Sequence, residues 1–346
     1  MKTLLHKYSI IVSIVFNMSI QKKSLTLAKL PEDIIFEIST NLDQKHKSLW
    51  FTCSELYGIS KKHRKIVLSI KGTREFIKNC KIRRQINGLM KTPLRQLCVT
   101  LPKGRIQNVD IFANAFRVDL FYCAKIVNVS SLYRVNTLNL QGCVNIRDVS
   151  ALTNVRVLNL SYCYVTDVSM LTNVHTLNLS HSFVVDVSSL GNVHYLDLSR
   201  TNVVDVSALK NVHTLNLSDC YSLSDVSSLT NVKNLNLDRC HRITDVSALG
   251  NTKVLSLKSL REIDDITALK NVDTLVLNDC CKIFDVSCLT NVRRLSISCY
   301  NYNTMTHRVY DASMLENVEI FNNFSTLVSG VFYKDAIKKL KNKQSR

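Results

Sequence analysis

A single pattern, written ten times, governs what this chain can become. One copy places Val212, Leu215, Leu217, Cys220, Leu223, Asp225, Val226, Ser227, Leu229 and Asn231, and the next places Val232, Leu235, Leu237, Cys240, Ile243, Asp245, Val246, Ser247, Leu249 and Asn251. Copies start at Val135, Val155, Val174, Val193, Val212, Val232, Thr252, Val272 and Val292, so the period is 19 or 20 residues. A degenerate copy precedes them through Val118, Leu120, Cys123, Val129 and Leu132. The last copy is stretched between Ile297 and Asp311, and the pattern fades after Val318. Self-similarity at this period marks units too small to bury their own apolar face, which become stable only by stacking on their neighbours.

Within a unit, the Leu-x-Leu pair has the two-residue period of a strand with one buried face. The later apolar positions lie three apart, as in Leu223, Val226 and Leu229. That spacing suits tight 3₁₀-like turns, and a return this short leaves no room for a long helix. The expected fold is an α/β solenoid with one short parallel strand and one turning return per unit. Each inward leucine forces its neighbours outward, so the stacked strands present a continuous concave face.

The recurring polar positions have structural explanations. Three residues after the second leucine stand Cys143, Cys163, Ser182, Thr201, Cys220, Cys240, Leu260 and Cys280, a column that suits a buried ladder. Strands about 4.8 Å apart bring neighbours such as Cys220 and Cys240 within disulfide reach. Packed thiols in a reducing compartment are the expectation. The twelve cysteines show no CxxC or CxxH metal spacing. Asp148, Asp167, Asp186, Asp205, Asp225, Asp245, Asp265 and Asp285 resemble a row of catalytic carboxylates. Each, however, opens a return such as Asp-Val-Ser-x-Leu, where a carboxylate caps free backbone N–H groups. The Asn before each new copy, such as Asn154 and Asn173, gets a turn-bracing role.

These residues resemble the leucine-rich repeat family over about two thirds of the chain. The cysteine at the ladder position is similar to the cysteine-containing subclass common in ubiquitin-ligase receptors, whereas the Asp-Val-Ser-x-Leu return and short period resemble bacterial internalins. Ahead of the array, Leu30-Pro31-Glu32-Asp33 opens an amphipathic helix with Ile34, Ile38 and Leu42 at helical spacing. A second helix carries Leu49, Trp50, Cys53 and Leu56 on its apolar side. From spacing alone this is a helical cap for the solenoid. The residues themselves resemble the F-box, which implies docking to the Skp adaptor of a cullin ligase through Leu30, Pro31, Ile34, Ile38, Leu42 and Leu49. The combination is also similar to F-box and repeat proteins of large DNA viruses that borrow host ligases. The expected organisation is an apolar leader or disordered start over 1–26, with Met18 as an alternative initiator. An F-box-like all-α head over 27–65 and a basic linker with N-terminal cap over 66–114 follow. The repeat array covers 115–324, and a C-terminal cap with a basic tail covers 325–346.

Charge narrows the function further. The formal charge is +18, but residues 1–110 carry +14, residues 111–333 carry −1 and the tail from 334 carries +5. The array's sum therefore argues against nucleic acid along it. The basic segment Lys61 to Arg84 lacks the interleaved aromatics that stack on bases, and reads as a solvated helical face. The absence of 18 consecutive apolar residues argues against a membrane span. No nucleophile with a base, glycine-rich phosphate loop or metal signature appears, so the chain is expected to be no enzyme and to need no cofactor.

The candidate partner site is a mixture of His, Asn and alternating charge on the concave face: His175, Asn178, His181, His194, Asp197, Arg200, His213, Asn216, Asp219, Lys233, Asn236 and Arg239. Such a surface suits a protein target. The expected function is a substrate-recognition adaptor of a Skp-cullin-F-box ubiquitin ligase in the cytoplasm, or in a host cell's cytoplasm or nucleus. The rivals are an exported internalin-like adhesin, for which residues 9–20 would be the signal core, and an intracellular scaffold without a ubiquitin role. Glycans at Asn178 or Asn216, both in Asn-Leu-Ser sequons, would favour export.

Overall fold

Leu138, Leu158, Leu177, Leu196, Leu215 and Leu235 pair one to the next across parallel strands, so the sequence period becomes a stacking period. The structure, a computed structural model, describes residues 65–89, 96–298, 300–301, 306–307, 315 and 318–320. The expected leader, the F-box-like head with Leu30, Pro31, Ile34, Ile38, Leu42 and Leu49, and the tail over 325–346 lie outside the described residues. The chain divides into two units between Thr100 and Leu101.

In the first unit, β1 (Lys65–Val67) pairs in parallel with β2 (Gln96–Thr100), and the crossover carries α1 (Ile70–Lys78) and α2 (Cys80–Leu89). Ser69 caps α1 by accepting the Gly72 N–H at 3.1 Å. Asn79 ends α1, and its side-chain oxygen accepts the N–H groups of Lys81 and Ile82 at the start of α2. Two helices thus meet at one residue that stops the first and caps the second. Phe76 is fully buried, while Lys71, Arg74, Lys78, Lys81 and Arg84 are exposed.

The second unit holds eleven parallel strands among the described residues. They are β3 (Arg117–Asp119), β4 (Thr137–Asn139), β5 (Val157–Asn159), β6 (Thr176–Asn178), β7 (Tyr195–Asp197), β8 (Thr214–Asn216), β9 (Asn234–Asn236), β10 (Val254–Ser256), β11 (Thr274–Val276) and β12 (Arg294–Ser296). The eleventh is Glu319–Ile320, paired with β12 where the sequence pattern had faded. Between them a small antiparallel pair, Tyr300–Asn301 with Thr306–His307, occupies the stretch that lengthens the last copy. Returns are short: 3₁₀ turns such as Ser150–Leu152 and Ser188–Leu190 close with i to i+3 bonds, for example Leu152 N–H to the Val149 carbonyl at 2.9 Å. The leucines, isoleucines and valines of every column are buried, mostly to 0% exposure.

The capping expected of the aspartate column is visible as bonds. In all eight copies with an aspartate, one carboxylate oxygen accepts the N–H two residues on at 2.8 or 2.9 Å. Asn128 does the same for Ser130. The cysteine column is a ladder of free thiols rather than of disulfides. Cys143, Cys163, Cys220, Cys240 and Cys280 each donate to the carbonyl of a leucine in the preceding repeat, at 2.9 to 3.2 Å. That bond holds each sulfur on its own rung, so Cys220 and Cys240 stay unlinked. Cys281, beside the ladder, is disulfide-bonded.

Candidate protein-binding face

On the sheet surface turned away from the leucines, the backbone fixes three kinds of position. The residue just before each strand forms one rim: Arg156, His175, His194, His213, Lys233 and Lys253 stand on consecutive repeats. Arg156 and the lysines are exposed and the histidines half-buried. His194 and His213 stack with ring centroids 4.5 Å apart, and His175 lies tilted against His194 at 4.9 Å. Thr176 and Thr214 hold the outer two rings through hydroxyl contacts with Nδ1 at 3.2 and 3.0 Å. Tyr195 packs edge-on against His194 at 4.6 Å.

The third residue of each strand forms the floor, and here the sequence reading is corrected. Asn159, Asn216 and Asn236 are only 2 to 4% exposed and Asp197 7%, while Asn178 is half-buried. Their short side chains turn back to accept the N–H two residues on, as in Asn178 to Ser180 at 2.8 Å and Asn216 to Ser218 at 3.1 Å. Asn216 also donates to the Asp197 carboxylate at 3.1 Å. Neighbouring repeats about 4.8 Å away on both sides complete the enclosure, so Asn178, Asp197, Asn216 and Asn236 brace the strand ends under the rims. A glycan at Asn216 would need the amide nitrogen that donates to Asp197. Burial raises the Asp197 carboxyl above its ordinary range, against opposing bonds from Ser199 and Asn216.

The far rim follows each strand: Tyr162, His181, Arg200, Asp219, Arg239 and Ser259. Every one has φ between +57° and +60°, the left-handed region that non-glycine residues rarely adopt. Lys103, Tyr122 and Asp279 share it, as does Gly142 at +68°. The reason lies in the ladder, because each such residue's N–H donates to a carbonyl of the next repeat. Examples are His181 to Ser199 at 2.9 Å and Asp219 to Asp238 at 2.8 Å. The twist carries the hydrogen-bond ladder past the strand and places the side chain on the rim, where Asp219 alone of these six is buried, at 4% exposure. Nothing in Tyr, His or Arg signals this conformation in the sequence, since glycine or asparagine is its usual mark.

Two arrangements sit on this rim. Tyr162 and His181 stack at 4.1 Å, with the phenol oxygen 3.0 Å from Nε2. Burial and the Arg200 charge lower the His181 pKa, against Asp219. Asp219 is clasped by Arg239 at 2.7 and 2.9 Å, by Arg200 at 3.3 Å and by the Tyr221 hydroxyl at 2.9 Å. Burial raises its carboxyl, but these donors outweigh it and hold the group below the usual range. Of the expected site residues, His175, His194, His213 and Lys233 thus share one rim and His181, Arg200, Asp219 and Arg239 the other.

Tyr195, Tyr221 and the edge pair Tyr164 and Phe183, 5.2 Å apart, are members of the surface that the sequence reading left out. The only signal for Tyr195 was an aromatic in a column otherwise made mainly of Thr, Val and Asn. Among the described residues no group of three or more His, Cys, Asp or Glu could hold a metal, and no helix is long and apolar enough to cross a membrane.

No protein-family model matches the chain, and no curated protein matches it in sequence. Solved structures do. An internalin (InlF) from Listeria monocytogenes is 20% identical with a TM-score of 0.55, covering 87% of this chain and 100% of that one. The functional domain of InlJ from the same organism, which includes a cysteine ladder, is 20% identical with a TM-score of 0.44 over 60% of this chain and 49% of that one. A leucine-rich-repeat protein of Leptospira interrogans is 16% identical with a TM-score of 0.39, over 86% and 99%. The stacked register described above and the likeness to InlF give one conclusion: the chain has the leucine-rich-repeat fold.

Proposed function

We propose that this chain is the target-recognition adaptor of a Skp-cullin-F-box type ubiquitin ligase. The F-box-like head grips the Skp adaptor through Leu30, Pro31, Ile34, Ile38, Leu42 and Leu49, and the two rims of the sheet hold a target protein. The observation that carries the recognition half is a uniform buried scaffold bearing varied His, Tyr, Arg and Lys side chains on both rims. Arg and aromatic residues are the ones enriched at protein interfaces. The ligase half rests on the sequence resemblance over 27–65. The chain itself performs no chemistry on this reading: it raises the local concentration of target at a catalytic subunit.

Co-precipitation of the full chain with a Skp adaptor, lost when Leu30 and Pro31 both become Ala, is the expected result. Binding that survives the double substitution, or no binding by the wild type, overturns the proposal. A second reading, an exported internalin-like protein, is favoured by the bonded Cys281 and by the likeness to InlF. A mature N-terminus just after residue 20, with Cys281 oxidised in the isolated protein, would replace the first reading with this one.

A further inference from the structure

We propose that the edge of the array from Tyr164 to Tyr221, where the chain leaves the strands for the returns, is a docking ledge for a basic amphipathic helix of a protein partner. It is a second surface, separate from the sheet face and from the head on which the ligase reading rests.

The ledge begins as an irregularity in the repeat. Between the ladder position and the return aspartate, the copies on both sides spend four residues, Val144 to Arg147 and Tyr221 to Ser224. They close a small turn there, with the Ile146 N–H donating to the Cys143 carbonyl at 3.1 Å and the Leu223 N–H to the Cys220 carbonyl at 3.2 Å. Three consecutive copies spend only three residues: Tyr164 to Thr166, Phe183 to Val185 and Asn202 to Val204. In each, the middle valine is buried and the residues beside it are exposed.

The fold has no need of apolar side chains at those outward positions. Asn202 and Thr166 occupy the same two columns, and later copies put His241, Arg261 and Asp264 there. Tyr164, Phe183, Val185, Val204 and Tyr221 are nevertheless 45 to 57% exposed. Tyr164 and Phe183 already meet edge to face at 5.2 Å. An apolar run held out of the core on neighbouring copies marks a surface for a partner.

Charge selects the partner. Asp167, Asp186, Asp205 and Asp225 run along the ledge. The N–H two residues on bonds to each and holds its carboxyl below the usual range, so all four are ionised at neutral pH. Asp148 and Asp245 continue the row at its ends. The segments 163–167, 182–186, 201–205 and 220–225 contain no Lys or Arg. Cations stand at the borders. Arg147 lies over the Tyr164 ring at 4.9 Å, and His241 and Arg242 mark the other end. Arg200 and Arg239 are bonded to Asp219, and Lys210 is on the return beyond Asp205. An apolar band edged by carboxylates complements apolar anchors flanked by Lys or Arg, and repels nucleic acid and anionic lipid.

Spacing selects a helix. Copies stack about 4.8 Å apart, and one helical turn advances about 5.4 Å. A helix lying across the copies therefore offers about one anchor to each. An extended chain repeats a face every 6.6 Å or so and falls out of step sooner. From Tyr164 to Tyr221 there are three steps, about 14 Å, which about ten helical residues span.

The test uses the full chain and three labelled peptides of about 16 residues, read by fluorescence anisotropy. One is Leu and Lys patterned as an amphipathic helix, one has the same composition scrambled, and one replaces Lys by Glu. The patterned Lys peptide alone should bind. Phe183→Asn with Val185→Thr, residues that the same columns already carry, should weaken it about tenfold or more without moving the melting temperature. Asp186→Asn with Asp205→Asn, which keeps the turns as Asn128 does, should weaken binding and reduce its salt dependence. Unchanged affinity in the Phe183/Val185 variant, equal binding of the scrambled peptide or tighter binding of the Glu peptide overturns the proposal. So does a dimer of the wild type in sedimentation, or its capture by phosphatidylcholine vesicles, if the Phe183/Val185 change abolishes it. The ledge would then serve a second copy or a membrane. Skp co-precipitation reads the head alone, so that proposal and this one can fail separately.

Discussion

Asp219 joins two features that ordinary mutagenesis would blur, a left-handed backbone and a charged clasp, and three substitutions at this one position separate them. Its carboxylate accepts from Arg239, Arg200 and Tyr221, and hydrogen bonds to a charged group contribute about 1.5 to 3 kcal/mol when well shielded. The two arginine side chains are 48 and 52% exposed, so solvent screens them and they rehydrate when released. The whole clasp is then worth about 2 kcal/mol. The residue also sits at φ +60°, where an alanine is disfavoured relative to glycine by about 1 kcal/mol.

Asp219→Ala should therefore cost about 2 kcal/mol or slightly more. Asp219→Gly, which loses the clasp but relaxes the backbone, should cost about 1 kcal/mol. Asp219→Asn, which tolerates the left-handed region and keeps a neutral acceptor for Tyr221, should also cost about 1 kcal/mol. Urea unfolding followed by circular dichroism gives the order, and at about 1 M salt the Ala deficit should shrink as the ion pairs are screened. If Gly proves as damaging as Ala, the left-handed row is not a source of strain. If Ala matches wild type within about 0.3 kcal/mol, the clasp contributes nothing to the fold.

Other consequences follow the same geometry. Bonds from the backbone N–H and hydroxyl two residues on depress the carboxyls of Asp167, Asp186, Asp205, Asp225, Asp245 and Asp265. Their stabilisation is present above the unfolded value near 3.9 and is lost as pH falls through the lower folded values. Stepwise Asp→Asn changes along the row should leave the melting temperature near neutral pH close to wild type, because Asn128 makes the same turn. They should also flatten the acid limb of a melting curve, and an unchanged limb refutes the assignment. Ser182 fills a cysteine rung with a buried hydroxyl that has no hydrogen-bond partner. Ser182→Cys should therefore gain about 1 kcal/mol in urea unfolding, and a loss would show that the thiol bonds do not stabilise the ladder. Burial pushes the thiols of Cys163 and Cys220 up to about 11 and those of Cys143 and Cys280 up to about 12. In the folded chain a thiol reagent near pH 8 should label the exposed Cys80 and reach the ladder only on unfolding; early modification of Cys143 or Cys163 contradicts the burial.

What could be read without coordinates was whatever the chain encodes locally or repeats. The Leu-x-Leu pairs gave the strands because alternation is a property of neighbouring residues. The Asp-Val-Ser returns gave their caps because the bond spans two positions. The floor was misplaced because the burial of Asn216 is made by residues 19 and 20 positions away, and a polar residue between strand leucines looks presented until those neighbours are in place. The thiol ladder was half legible: the column was plain, but the choice of carbonyl over neighbouring sulfur depends on where each thiol points. The eleventh strand, Glu319–Ile320, escaped because it follows an insertion and carries little of the pattern. The left-handed rim had no sequence mark, since its ladder bond is made by backbone atoms that every residue owns.

That backbone origin sets the vocabulary available to the rim. Among the described residues ten occupy the positive-φ column, drawn from Lys, Tyr, Gly, His, Arg, Asp and Ser, and none of them branches at the β-carbon. Branching there collides with the carbonyl in a left-handed turn, whereas any unbranched side chain meets roughly the same modest resistance. The rim can therefore be rewritten letter by letter among charges, rings and small polar groups with the coil beneath unchanged, while valine, isoleucine and threonine are spelled out of it.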